Sequence, residues 1–69
     1  AIEFRVDNDS RATGTPLREL KLIDNFMIAF IDREGKIILP SGDDKILPGD
    51  TVTIVTTNTG LNDLDDIVK

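Results

Sequence analysis

The chain has 69 residues, no cysteine, no histidine and a net charge of −5, from 8 basic and 13 acidic side chains. A chain of this length forms one domain with a small core, so association with a partner is a common source of added stability. Without cysteine or histidine it has neither disulfides nor the usual zinc ligands. The acidic balance argues against a nucleic-acid surface, which needs clustered basic side chains. No apolar run approaches the length of a membrane span.

The first third of the chain predicts a strand and then a short helix. Apolar and charged side chains alternate over residues 1–6, which indicates a half-buried strand. The chain opens on this strand without a methionine, so we expect it to be part of a longer protein. After a polar loop, Thr15-Pro16 is typical of a helix start, because threonine caps free N–H groups and proline suits the first helical position. We therefore expect a helix over residues 15–22.

The most apolar stretch of the chain is residues 26–31, FMIAFI. A strand with both faces buried has this composition. One face would be covered by the helices of the domain. The other face would be covered either by a partner subunit or, if this is an ordinary central strand, by the domain itself. The shortness of the chain favours the partner subunit.

The rest of the chain predicts two more strands and a closing helix. Residues 36–39 and 51–57 are the strands, with Gly35 in a hairpin turn and Pro48-Gly49-Asp50 forming a second tight turn. Apolar residues of the segment 61–68 recur at helical spacing. The predicted fold is therefore α+β. It is a small β-α-β-β-β-α domain whose antiparallel-rich sheet carries its helices on one face.

No group of residues predicts catalysis or metal binding. Asp32 and Glu34 lie at a hairpin tip, where carboxylates are normally solvated. Ser41 lacks both the nucleophile-elbow sequence and a histidine partner. Asp43 and Asp44 lack the spacing of a calcium loop. We therefore expect a protein that is not an enzyme and holds no metal.

Three segments together resemble the C-terminal domain of TrkA and related RCK proteins. They are GTPLRELKL at 14–22, IAFIDREGKIILPSG at 28–42 and ILPGDTVTIV at 46–55. The resemblance implies a TrkA-C (RCK-C) regulatory domain over residues 1–69 that forms a homodimer. It implies further that the domain lies behind a Rossmann (RCK-N) domain of the same chain. The protein would be cytoplasmic, and peripheral on the inner face of the cell membrane through the Trk or Ktr potassium transporter subunit that it gates.

The resemblance also implies a ligand site, because some relatives bind cyclic di-AMP in the cleft between subunits. Carried onto this chain, that site is formed by Leu22–Ile28 and Leu39–Ser41. The implied contact residues for cyclic di-AMP or another nucleotide are Ile23, Asn25, Phe26, Met27, Ile28 and Pro40. Adenine would stack on the apolar side chains, and Asn25, Arg33 or backbone N–H groups would contact the phosphates. Binders often carry asparagine where this chain has Met27.

Other functions fit the same residues. One alternative is a purely structural dimerisation module that binds no small molecule. Another is a ligand-sensing domain attached to a different transporter or to a transcription regulator. A β-grasp-like RNA or enzyme accessory domain is disfavoured by the acidic balance and by the scarcity of aromatic residues.

Overall fold

A single antiparallel sheet organises the computed structural model, which describes residues 2–68. The strands are β1 (Ile2–Arg5), β2 (Phe26–Arg33), β3 (Lys36–Ile38) and β4 (Thr51–Thr56). Their order in the sheet is β1-β4-β2-β3, and each neighbouring pair is antiparallel. The expected antiparallel sheet is therefore confirmed. Residue 1, which belongs to the predicted first strand, lies outside the described residues.

Two tight turns hold the strands in register. Glu34 and Gly35 join β2 to β3 and both have positive φ, 52° and 83°, as a two-residue hairpin loop requires. Gly49 has a φ of 91°, and the Asp50 N–H donates to the Leu47 carbonyl at 3.1 Å. This is the turn expected from Pro-Gly, in which only glycine adopts the second central position without strain.

The prediction of two helices is wrong. The segment 15–22 contains only a 3₁₀ turn, Leu17–Glu19. The segment 61–68 likewise contains only a 3₁₀ turn, Leu64–Ile67. The fold is therefore a sheet with two short turns packed on it, and the described residues form no α-helix.

Pairing between the two segments explains why neither turn continues as a helix. Leu22 pairs with Val68, and the Ile23 N–H donates to the Ile67 carbonyl at 2.8 Å. Both segments are extended where they meet, so tertiary pairing overrides their helical pattern. Asp63 caps the second turn by accepting from the Leu64 N–H at 2.7 Å.

The core lies between the inner face of the sheet and the two turns. Among residues 2–68, nine buried hydrophobic residues form it, which is few enough to make added stability from a partner useful. They are Phe4, Val6, Ala12, Ile31, Ile46, Val52, Ile54, Leu64 and Ile67. Leu61 and Val68 pack against this cluster, so the closing segment does bury its apolar residues without being an α-helix.

The register of β2 shifts halfway along its pairing with β4. The shift lies between Ile28 and Phe30, which makes Ala29 the extra residue of a β-bulge. Residues directly opposite each other share a face of the sheet. Ile28 and Ile31 lie opposite the members of the core cluster in β4 and face the core, whereas Met27 and Phe30 lie opposite residues outside this cluster and face outward. β2 therefore presents apolar side chains on both faces, as predicted, but the chain itself covers only the core face, because Met27 on the outer face is 62% exposed.

Candidate functional site

A cavity of about 430 Å³ opens beside the first half of β2. Its volume falls within the range of small-molecule sites. β4 pairs with one edge of this part of β2, but β3 pairs only with Ile31–Arg33. Among the described residues, no strand therefore lies along the other edge of the first half of β2. The cavity is lined instead by residues 17–18, 22–23, 26–28 and 40–42. A ligand in this cavity would contact the start of β2 together with two loops.

The structure brings together five of the six candidate contact residues. Ile23, Phe26, Met27, Ile28 and Pro40 all line the cavity. They come from two segments that are distant in sequence, and the start of β2 and the chain after β3 place them side by side. Their role in binding stays a prediction.

The sixth candidate, Asn25, does not line this cavity. It lies at a smaller hollow of about 360 Å³, on the side of β4. Its φ is 64°, a left-handed conformation that asparagine tolerates better than most residues. Its carbonyl accepts from Thr56 Oγ1 at 2.7 Å and from the Thr57 N–H at 3.4 Å. These two hydrogen bonds join the residue that precedes β2 to the end of β4.

Arg33, expected as a phosphate contact, is engaged elsewhere. Its Nε and Nη2 donate to the two carboxylate oxygens of Asp50, each at 2.9 Å. Its Nη2 also donates to the Lys45 carbonyl at 2.9 Å. Asp50 is only 1% exposed and accepts a third bond from the Leu47 N–H at 2.9 Å. Arg33 therefore does not line the cavity.

The Arg33–Asp50 pair is charged although Asp50 is buried. Burial is the largest single influence on the pKa of Asp50 and raises it. The hydrogen bonds from Arg33 and Leu47, together with the positive charge of Arg33, outweigh burial and lower the pKa of Asp50 below its usual value. The hydrogen bond to Asp50 in turn raises the pKa of Arg33. This pair joins the end of β2 to the Pro-Gly turn.

Arg18 is a lining residue that sequence reasoning missed, because the expected helix directs it to solvent. Its guanidinium pairs with Asp43 and, at 3.8 Å, with Glu19. Its backbone N–H donates to the Gly42 carbonyl at 2.9 Å. A Cβ on Gly42 would stand 3.2 Å from the Arg18 Cβ, so only glycine permits this close approach without a shift. The contact joins segments that are distant in the sequence, and no spacing of residues predicts it.

An exposed apolar patch occupies the outer face of the sheet. Four large hydrophobic residues form this outer patch: Met27, Ile37, Leu39 and Val55, exposed by 62%, 60%, 78% and 48%. Met27 pairs directly with Val55. Ile38 packs against the core, so Ile37 and Leu39 on either side of it point outward. The outer face of an antiparallel sheet is commonly polar, so large exposed apolar side chains on it mark a candidate interaction surface, although Asp32 lies opposite Ile37 on the same face.

Comparison with known proteins identifies the family. The family model of the TrkA-C domain matches residues 1–69. The chain belongs to the TrkA-C family. The Trk system potassium uptake protein TrkA homolog of Pyrococcus abyssi is 36% identical over 69 residues, covering 99% of this chain and 30% of that protein. The corresponding homolog of Archaeoglobus fulgidus is 42% identical over 55 residues, covering 80% of this chain and 13% of that protein.

The fold of this TrkA-C chain is also found among solved structures. A structure described as an RCK domain with cda has a TM-score of 0.71, with 84% of this chain and 80% of that chain covered. The two sequences are 22% identical, so the match concerns the fold alone. Within residues 2–68, no helix is long and apolar enough to cross a membrane. The same residues contain no group of three or more acidic side chains placed to hold a metal ion.

Proposed function

We propose that residues 1–69 are the cytoplasmic regulatory domain of a Trk- or Ktr-type potassium uptake protein, which senses a ligand and forms a homodimer. Family membership supports this proposal, as do relatives that are named potassium uptake proteins and of which the chain spans 30% or less. The other proposed partners are an RCK-N domain of the same chain and the membrane transporter subunit. The domain acts by binding, with no catalytic step and no nucleic-acid partner.

The cavity beside β2 is the observation that carries the ligand-sensing part. Ile23, Phe26, Ile28 and Pro40 present apolar surface on which a flat base stacks. The open side of the cavity leaves room for a second subunit to complete the site. The proposed ligand is cyclic di-AMP or another nucleotide. A protein of the same fold that is described with cda supports testing a cyclic dinucleotide first.

The outer patch supports a second copy of the chain as the dimer partner. The four side chains of the patch carry no charge, and a two-fold partner presents the same uncharged surface in return. Met27 belongs both to the patch and to the lining of the cavity. A copy seated on the patch therefore stands beside the cavity opening. The small core of each chain gains stability from this contact.

Titration with cyclic di-AMP tests the ligand-sensing part. We expect heat of binding in calorimetry and a raised melting temperature, because a ligand that binds only the folded state stabilises it. Ile23→Ser, inside the cavity, should weaken binding by about tenfold through lost apolar contact. Leu47→Ser is the matched control, since Leu47 is exposed but does not line the cavity. Absence of heat and of a melting shift in the unaltered chain would favour the purely structural dimerisation module.

A further inference from the structure

We propose that Arg18 binds the anionic part of the ligand in the cavity, and that Asp43 competes with the ligand for the Arg18 guanidinium. The inference rests on the ligand site proposed above and specifies its chemical class. The ligand is a flat apolar ring that carries a phosphate. Neither the resemblance to the family nor any spacing in the sequence points to Arg18.

The first argument is the charge of the cavity lining. In the described part of the chain, Arg18 alone among the lining residues carries a positive charge. The remaining lining is apolar apart from Ser41 and Gly42. The chain has a net charge of −5, so an anion approaching the cavity meets repulsion unless Arg18 offsets it. A guanidinium also matches the geometry of phosphate oxygens, to which it donates two parallel hydrogen bonds.

The second argument is that Arg18 has a fixed base and an adaptable tip. The bond from its N–H to the Gly42 carbonyl and the close approach of its Cβ to Gly42 fix its backbone at the rim of the cavity. Its side chain is 57% exposed, and that of Asp43 is 81% exposed. An ion pair this exposed contributes little to stability. Arg18 therefore exchanges Asp43 for a phosphate at a small cost in free energy.

The competition gives Asp43 a defined effect on affinity. With Asp43 ionised, part of the attraction between Arg18 and a bound phosphate is offset by the nearby carboxylate. Replacing Asp43 by asparagine removes this competitor and keeps the shape of the side chain. The two substitutions should consequently act in opposite directions: loss of Arg18 weakens binding, and loss of the Asp43 charge strengthens it.

The test compares a charged with an uncharged ligand on the 69-residue chain. Calorimetric titration is performed with cyclic di-AMP and with adenosine, on the unaltered chain and on four variants: Arg18→Gln, Arg18→Lys, Asp43→Asn and Arg5→Gln. Arg5→Gln is the matched control, because it removes one positive charge from an exposed residue of β1 that does not line the cavity. Thermal melting of each variant verifies that it is folded.

We expect Arg18→Gln to weaken binding of cyclic di-AMP by about tenfold, because a charge-assisted hydrogen bond is lost. Arg18→Lys should weaken it by about threefold, since lysine keeps the charge but not the paired donors. Asp43→Asn should strengthen it by about threefold. Arg5→Gln should leave it unchanged, and adenosine should bind all five proteins alike.

Three results would overturn the inference. If Arg18→Gln weakens the binding of adenosine as much as the binding of cyclic di-AMP, Arg18 shapes the cavity without recognising an anion. If Arg18→Gln leaves cyclic di-AMP binding intact, Arg18 is not the contact, although the ligand function stands. If the unaltered chain binds neither ligand, both the ligand function and the role of Arg18 fail together.

Discussion

Two of the arginine–aspartate pairs in the described residues differ in burial and in hydrogen bonding. Asp50 is 1% exposed and holds Arg33 through two hydrogen bonds of 2.9 Å. Asp43 is 81% exposed and holds Arg18, itself 57% exposed, at the rim of the cavity. A pair with a buried, hydrogen-bonded carboxylate and an arginine that is 32% exposed is costly to break by removing one partner, whereas a pair with two exposed members contributes little. The first pair is therefore structural, and the second is free to change partner.

The two arginines are alike in sequence, since each is followed by a glutamate. What separates them is the element that carries them. Arg33 ends β2 and reaches the buried carboxylate of the Pro-Gly turn. Arg18 lies in a single 3₁₀ turn beside the opening in the sheet. The domain thus has a rigid region around Asp50 and an adaptable region around the cavity, and substitutions in the two should have different consequences.

The largest expected effect is in the rigid region. Asp50→Ala should lower the free energy of unfolding by about 3 kcal/mol, because it leaves Arg33 and the Leu47 N–H without their acceptor. Urea unfolding of both proteins measures the difference. Asp43→Ala is the matched control and should change stability by less than about 0.5 kcal/mol. Equal losses in the two variants would show that the distinction between the pairs is wrong.

An intermediate effect is expected in the adaptable region, on association instead of stability. Met27→Glu places a charge in the outer patch, so it should raise the dissociation constant of the proposed dimer by at least about tenfold. Stability of the monomer should change by less than about 0.5 kcal/mol, because Met27 is 62% exposed. Light scattering across a concentration series measures both proteins.

Leu47→Glu is the control for Met27→Glu, since Leu47 is also exposed but lies outside the patch. The Leu47→Glu variant should show the same molar mass in solution as the unaltered chain, because its dimer is unaffected. A monomeric unaltered chain at high concentration, or a Met27→Glu variant of unchanged mass, would contradict the role given to the outer patch.

The smallest effect concerns pH and the rigid region alone. The pKa of Asp50 is lowered in the folded state, so its contribution to stability is fully present above the unfolded pKa of about 3.9 and is lost as pH falls through the folded pKa. The unaltered chain should therefore exceed Asp50→Asn in stability at pH 6, with the gap narrowing below pH 4. Urea unfolding at several pH values measures the gap. A gap that widens on acidification would contradict the ionised pair.

Much of the sheet can be predicted from the sequence, because strands and tight turns are set by neighbouring residues. The alternation in β1, the apolar run of β2 and Gly49 after Pro48 all indicate their structures locally. The helices fail because Leu22 pairs with Val68, a contact that no local pattern shows.

In the candidate site, too, local sequence predicts some features and long-range packing decides the others. Five of its six predicted residues meet at the cavity because they lie on segments that the sheet brings together. Arg18 lines the cavity and Arg33 does not, contrary to expectation, because the acid that each arginine reaches depends on long-range packing. The sequence likewise does not predict that Asp50 is buried, because the aspartate of a Pro-Gly-Asp turn is ordinarily solvated.

The bulge at Ala29 also affects how the length of the β2 segment can vary among members of this family. A one-residue deletion within a regular strand reverses the faces of all the residues beyond it. Here the extra residue is already accommodated between Ile28 and Phe30. A chain lacking Ala29 would become a regular strand that still directs Met27 and Phe30 outward and Ile31 to the core. At this position, relatives differing in length by one residue would keep the same two surfaces.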